Sequence, residues 1–404
     1  MHLGELGQVF VKTSKEMEEE LITIRRHLHK YPELSFQEYE TSHFIEKKLN
    51  EFGIPNERVG ETGIKACIKG EKEGASSFTV ALRADIDALP IKEETELSFS
   101  SVNEGVMHAC GHDGHTTILL GAAHLLYQNR NHFSGNVVCI FQPGEEADGA
   151  ATEMIRLGVL ENPKVDMMVA LHLWPYLPFG TVGIRSGSMT ASCDDFTITV
   201  KGKSGHSARP HEGVDAISIS MRIMQAIEHL VLKMNNPLDP VVVHIGKITG
   251  GSARNIIAEK VVFEGTARAL TIENRQKIKK EIKRISNDVA RTYHAEVEIT
   301  YMDGNAPVLN DTEVTSLVGN ASRDLWGEDK VVELSDPSLG ADDFGEFSLV
   351  VPSTYFRLGI NKSNGSMYGL HHPKFTFDDT LLSIGAATFA YTAVKAIKQS
   401  SEGY

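Results

Sequence analysis

Residues 107–143 read MHACGHDGHTTILLGAAHLLYQNRNHFSGNVVCIFQP. Within them, 115–129 sets apolar residues on one face of a helix, and 135–143 is a short apolar run of the buried-strand type ended by Pro143. A helix feeding a strand that is apolar on both faces is the repeating unit of a parallel sheet. Outward from this stretch the pattern recurs. FTVALRAD (78–85) and DMMVALHL (166–173) are further apolar strands, while 15–30 and roughly 148–158 carry helical spacing. After Pro307 come STYFRLG (353–359) as a strand and a closing helix over roughly 379–398. Strands alternating with helices predict an α/β fold, with a mostly parallel sheet covered by helices on both faces.

Between these segments the pattern changes. DFTITVKG (195–202) alternates as a half-exposed strand does, and 213–233 is a helix. PVVVHIGKI (240–248) and KVVFEGTARAL (260–270) are consecutive strands, followed by a charged amphipathic helix at 272–292 and a strand at 295–301. The order β-α-β-β-α-β is the ferredoxin-like arrangement. The sequence therefore predicts an inserted ferredoxin-like (βαββαβ) domain over 187–303, interrupting a discontinuous domain of 1–186 and 304–404.

The composition agrees with such a protein. The chain has 404 residues, 41% hydrophobic and 23% charged, enough for two or three domains with sizeable cores. Lys+Arg number 40 against 54 Asp+Glu, a net charge of −14, which argues against nucleic acid or an anionic membrane as partner. The four cysteines, at 67, 110, 139 and 193, form no CxxC pair; they suggest a reducing compartment and a cytoplasmic location. The N-terminus lacks a basic flank followed by an apolar core, and no apolar run approaches 18 residues, so neither a secretory signal nor a membrane span is expected.

Chemistry concentrates where strands end. Cys110 and His112 lie in a Gly-containing loop just before a helix, on the side of a parallel sheet where α/β proteins bind ligands. Thiolate and imidazole together suit Zn²⁺ or another late first-row ion and disfavour Mg²⁺ or Ca²⁺. QPGEEADG (142–149) sets Glu145 and Glu146 at the end of a strand, ALHLWP (170–175) does the same for His172, and YGLHHPKF (368–375) offers His371 and His372. Singly, each has an ordinary structural explanation: Glu-Glu pairs favour helix starts, and strand-end histidines sit satisfied in cores. Together they suffice for two ions about 3.5–4 Å apart, sharing a bridging ligand and holding a water beside a substrate carbonyl. Glu145 and Glu146 then divide the work: Glu146 is held by metal, and Glu145 acts as general base and afterwards as general acid to the leaving amine.

These residues also stand in segments that resemble a known family. The chain is similar to the amidohydrolase branch of the co-catalytic dinuclear metallopeptidases, which includes hippurate hydrolase, N-acyl-L-amino acid amidohydrolases and auxin-conjugate hydrolases. Ten segments carry the resemblance in order, among them RRHLHKYPELSFQE (25–38), LRADIDALPI (82–91), MHACGHDGHT (107–116), FQPGEEADGA (141–150), KGKSGHSARP (201–210), GGSARNIIAE (250–259) and LHHPKF (370–375). The resemblance implies metal ligation by Cys110, His112, Glu146, His172 and His371, with His371 chosen over His372. It implies two divalent ions (Zn, Mn, Co or Ni), Glu145 as the catalytic carboxylate, and Asp85 as a residue orienting a ligand. It further implies a homodimer in which the inserted domain serves as dimerisation and lid element. His206 of one subunit then steadies the oxyanion in the other, and Asn255 and Arg268 grip the substrate carboxylate. The expected reaction is hydrolysis of the amide of an N-acyl or N-aroyl L-amino acid, with a metallo-carboxypeptidase or dipeptidase as the alternative. Two rivals of other classes are a non-catalytic metal-dependent binding protein and a cysteine hydrolase built on Cys110.

Three positions depart from the family pattern. Ala258 replaces a usual Pro, Asp342-Asp343-Phe344 replaces Glu-Asp-Phe, and QPGEE replaces QPAEE. None removes an implied ligand; all bear on substrate preference.

Overall fold

The computed structural model describes residues 2–74, 76–147, 149–362 and 368–402. In chain order the first elements are helices α1 (Leu3–Glu16), α2 (Glu18–Lys30) and α3 (Tyr39–Glu51), then strands β1 (Asn56–Val59), β2 (Gly63–Lys69) and β3 (Thr79–Asp85). Helix α4 (His112–Gln128), β4 (Asn136–Gln142), α5 (Ala150–Arg156), β5 (Met167–Pro178) and β6 (Val182–Ile184) follow. Next come β7 (Asp194–Lys201), β8 (Gly205–His206), α6 (Ala216–Met234), β9 (Val241–Gly250), β10 (Ile256–Ile257), β11 (Lys260–Ala269), α7 (Ile272–Thr292) and β12 (Glu296–Met302). The chain closes with α8 (Thr312–Trp326), β13 (Val331–Glu333), β14 (Ser353–Asn361) and α9 (Leu381–Glu402).

Two compact units result. The first comprises Met1–Gly187, Leu309–Asp336 and Glu346–Tyr404; the second comprises Ser188–Val308 and Pro337–Gly345. The first unit holds an eight-stranded sheet of order β1-β2-β4-β3-β5-β14-β6-β13. Its four central strands, β4, β3, β5 and β14, pair in parallel, and antiparallel pairs lie outside them. Every residue of β3 is buried, as is nearly all of β14, because helices cover both faces. That leaves the carboxyl ends of the central strands and the loops after them as the place for polar chemistry.

Helix α4 runs against this sheet and starts at His112, three residues ahead of its apolar run. The sequence placed His112 in the loop; it is instead the first residue of the helix. Gly111, at φ +90, makes the turn, and a Cβ there would stand 3.2 Å from Leu173 Cδ1. The helix expected over 15–30 is also different in form. It is two helices meeting at Met17, and the first begins at Leu3.

The second unit carries a four-stranded antiparallel sheet of order β9-β11-β7-β12, the ferredoxin-like order, with α6 and α7 packed on it. Strand β7 alternates buried with part-exposed residues, placing Phe196, Ile198 and Val200 in a core shared with Ile223, Ile278 and Ile282. A two-stranded pairing of β8 with β10 stands apart from that sheet.

Candidate metal centre

Three loops at the carboxyl ends of the central strands, together with strand β5 and the first turn of α4, bring five donors into one cluster. The sulfur of Cys110 lies 3.3 Å from His172 Nε2. His112 Nε2 lies 3.9 Å from Glu146 Oε1 and 3.9 Å from Glu145 Oε2. His371 Nε2 lies 3.3 Å from Glu146 Oε1. Cys110, His112 and His172 form one compact group of donor atoms, Cys110, Glu146 and His371 a second, and His112, Glu145 and Glu146 a third. The overlap runs through Cys110, His112 and Glu146.

Hydrogen bonds fix which ring nitrogens face the cluster. His112 Nδ1 donates to the Asp87 carbonyl at 3.0 Å and to Asp87 Oδ1 at 3.1 Å. His172 Nδ1 donates to the Leu173 carbonyl at 2.7 Å. Both rings therefore turn Nε2 toward the cluster, the nitrogen left for a metal to take. His115 is different. Its Nε2 accepts from the Leu173 N–H at 2.9 Å, so its Nδ1 donates to Asp85 Oδ1 at 2.6 Å, and both nitrogens are used.

The backbone is shaped to deliver these groups. Gly144, at φ +66, turns the chain after β4, and a Cβ there would meet the Phe36 ring at 2.8 Å. The next residues, Glu145 and Glu146, are thereby turned toward α4, and the Glu146 N–H donates to Asp87 Oδ2 at 2.9 Å. His371 holds φ +63, a left-handed conformation that costs a non-glycine residue about 1–3 kcal/mol and clusters at functional sites. Its N–H donates to the Ala109 carbonyl at 2.9 Å, tying this loop to the one that carries Cys110. Its neighbour His372 turns the other way and stacks on Tyr368, ring centroids 4.3 Å apart.

The electrostatics are those of an acidic, buried site. Burial, then Glu146, Glu145 and Asp85, push the Cys110 thiol far above its ordinary range. Burial lowers the His112 imidazole, but Asp85, Asp87 and Glu146 outweigh it and raise the group to about 10. Asp85 is wholly buried, which disfavours its charge, yet His112, His115 and Arg83 hold it well below the usual carboxylate range.

These residues fit a pair of divalent ions. His112 Nε2 and Glu146 Oε1 are buried and make no hydrogen bond among the described residues, a costly state that a cation relieves. The 3.3–3.9 Å spacings among donors match the edges of a tetrahedron around an ion at about 2.0–2.3 Å, roughly 3.3–3.8 Å. A mixed thiol, imidazole and carboxylate set selects late first-row metals.

Asp85, expected to orient a ligand, holds His115 and Arg83, with its Oδ2 3.8 Å from His112 Nε2. The residue that grips His112 is Asp87, which sequence reasoning passed over. Its signal was the second acid of LRADID, two residues beyond Asp85. In the second unit, Gly205–His206 pairs with Ile256–Ile257, and the Ser207 N–H donates to the Asn255 carbonyl at 3.1 Å. His206 and Asn255 are thus neighbours, both exposed. Arg268 does not join them; its Nη1 donates to the Leu339 carbonyl at 2.9 Å.

The family profile described as Peptidase family M20/M25/M40 matches residues 81–395. The N-acetyl-L-cysteine deacetylase of Bacillus subtilis is 38% identical over 96% of this chain and 90% of its own length. Thermostable carboxypeptidase 1 of Saccharolobus solfataricus is 41% identical over 94% of this chain and 96% of its own. Among solved structures, a Bacillus subtilis protein described as a dinuclear metal binding peptidase of the M20 family superposes with a TM-score of 0.82. It is 34% identical and covers 95% of this chain and 99% of its own.

Proposed function

The chain belongs to peptidase family M20/M25/M40, and from that premise we propose that it is a dinuclear-metal amidohydrolase releasing a carboxylic acid and an amino acid from N-acyl or N-aroyl L-amino acids. The observation that carries this reading is the cluster of Cys110, His112, Glu146, His172 and His371, with orphaned donor atoms beside the carboxylate of Glu145. These five residues would hold the ions, of Zn, Mn, Co or Ni. Bound there, the ions supply Lewis acidity and a water acidified toward neutral pH.

The chain's own residues do the rest. Glu145, buried next to His112, takes the proton of the attacking water and returns it to the leaving amine. His206 Nδ1 accepts from the Ala208 N–H at 3.1 Å, so Nε2 carries the proton and is a donor for an oxyanion. In this reading a homodimer brings His206 of one subunit to the site of the other through the inserted domain, which also closes over the substrate. Asn255 beside it, with Arg268, holds the substrate carboxylate. Cys67, Cys110 and Cys139 enter no disulfide among the described residues, in keeping with a cytoplasmic enzyme, and no described helix is long and apolar enough to cross a membrane. The carboxypeptidase relative, at 41% identity, supports a second reading in which short peptides are the substrates.

The test is hydrolysis by metal-loaded protein of a panel of N-acetyl amino acids alongside dipeptides. Turnover of the acyl compounds above the peptides is expected, and the reverse order would favour the carboxypeptidase. Glu145→Gln should cut kcat by about 10²–10⁴ while retaining metal. Near-normal turnover in that variant, with metal bound, would sink the assignment.

A further inference from the structure

Arg357, on β14, pairs in register with His172 of β5. In a parallel ladder, residues so paired leave the sheet on one face, about 4.8 Å apart. Trp174, two residues beyond His172, shares that face, its ring 6.0 Å from the His172 ring. The Arg357 guanidinium carbon stands 3.6 Å above the Trp174 ring. The side chain is 5% exposed. Yet Nε and Nη2 are buried and make no hydrogen bond among the described residues.

A buried, unpaired cation is costly, and proteins keep one only where something pairs with it. A guanidinium is not deprotonated in proteins, so this one is a cation at neutral pH. Arg185 Nη1 is engaged by the Leu334 and Ser335 carbonyls. The orphan atoms are also informative. Nε and Nη2 form the side-on edge of the guanidinium, the pair of parallel N–H groups that matches the two oxygens of a carboxylate. Stacking on Trp174 fixes the plane and so aims that edge.

We propose that Arg357 is a specificity-determining anchor for a substrate carboxylate, held in bidentate fashion on the sheet face that carries His172. This rests on the hydrolase reading above. The reading above gives the amino acid's carboxylate to Asn255 and Arg268, so the carboxylate expected on Arg357 is one on the acyl group. The substrates separate the two, and a loss confined to the amino acid's carboxylate overturns the assignment of Asn255 and Arg268. Kinetics of Arg357→Met and Arg357→Lys are compared on an N-acetyl amino acid, an N-succinyl amino acid amide and an N-acetyl amino acid amide. Arg357→Met should raise KM about 10- to 100-fold for whichever arm carries the recognised carboxylate, with kcat little changed and the uncharged amide unaffected. Arg357→Lys, which keeps the charge but not the fork, should lose less and guards against a folding defect. Equal losses on all three substrates, or none, overturn the anchor. Calorimetric titration of succinate into the metal-loaded full chain gives a second readout that needs no turnover. Binding lost in Arg357→Met supports the anchor even if no acyl amino acid is hydrolysed, and binding equal in both proteins, or absent from both, rejects it.

Discussion

Asp87 shows how much of the centre depends on residues that touch no ligand atom. It is wholly buried, accepts from Ser35 at 2.7 Å and from the Glu146 N–H, and receives the His112 Nδ1–H. One carboxylate thus sets both the ring orientation of His112 and the position of Glu146. Asp87→Asn should weaken metal affinity about 10- to 100-fold, read by competition with a chromophoric chelator. An unchanged affinity would mean that the loop alone orients His112. The donors themselves were legible, because Cys, His and Glu at strand ends carry a chemical signature. Asp87 was not, because a second-layer carboxylate differs from any other Asp until its partner is seen. The choice between His371 and His372 came from resemblance alone; in the structure their backbone conformations separate them, one left-handed and tied to Ala109, the other folded onto Tyr368.

Among elements, α4 is the one on which the site depends, and its first turn is anchored from behind. Asp113 accepts from Arg25 Nε of α2 at 2.8 Å and from His29 at 2.8 Å, while Arg25 Nη1 also reaches Asp379 at 2.9 Å. Arg25 and Asp113 are both fully buried. Removing Asp113 leaves the buried Arg25 with Asp379 alone and His29 without its carboxylate, so Asp113→Ala should cost about 3 kcal/mol in urea unfolding. A loss under 1 kcal/mol would show that water replaces the pair. Legibility differed sharply between elements. Helix α7 was read to the residue, since its charges and apolar period are unambiguous and Thr271 caps it. Helix α3, β1 and β2 went unread: YETSHFIEKKLNE buries only Thr41, Ser42, Ile45 and Leu49, and NERV neither alternates nor is apolar. Strand β5 runs on to Pro178, past the expected end at 173, through a tract with Pro175 that reads as a stop.

For the molecule as a whole, stability should fall as pH rises toward 8, and one carboxyl is a principal cause. Glu38 is buried and accepts from the Phe36 and Gly144 N–H groups and from Thr62, joining α3, the start of β2 and the loop of Glu145. Burial, then Asp87, raise it from 4.5 to about 7. A carboxyl raised in the fold is held more tightly protonated there than in the unfolded chain. Its penalty is absent below about pH 4.5, grows through the interval and is full above about 7, worth about 3 kcal/mol. Glu38→Gln should flatten the difference in unfolding free energy between pH 5 and pH 8 by about that amount. An unaltered pH profile would place the titration elsewhere. At this scale the sequence was most informative, because the switch from buried parallel strands to alternating ones marks an insertion without any knowledge of contacts. The return of Pro337–Gly345 to the second unit was beyond it, since no local pattern records a tertiary partner.

The discontinuity of the first unit has a consequence for biosynthesis. Strand β14 is the last central strand to be made, and it sits between β5 and β6, which precede it by well over a hundred residues. Cys110 and His371 stand nearly two-thirds of the chain apart. A ribosome must finish the whole inserted unit before the sheet can close, so the thiol and the last imidazole meet only when translation is almost complete. The set of five donors is thereby completed late, and the nascent chain carries Cys110 for most of its synthesis without the imidazole of His371.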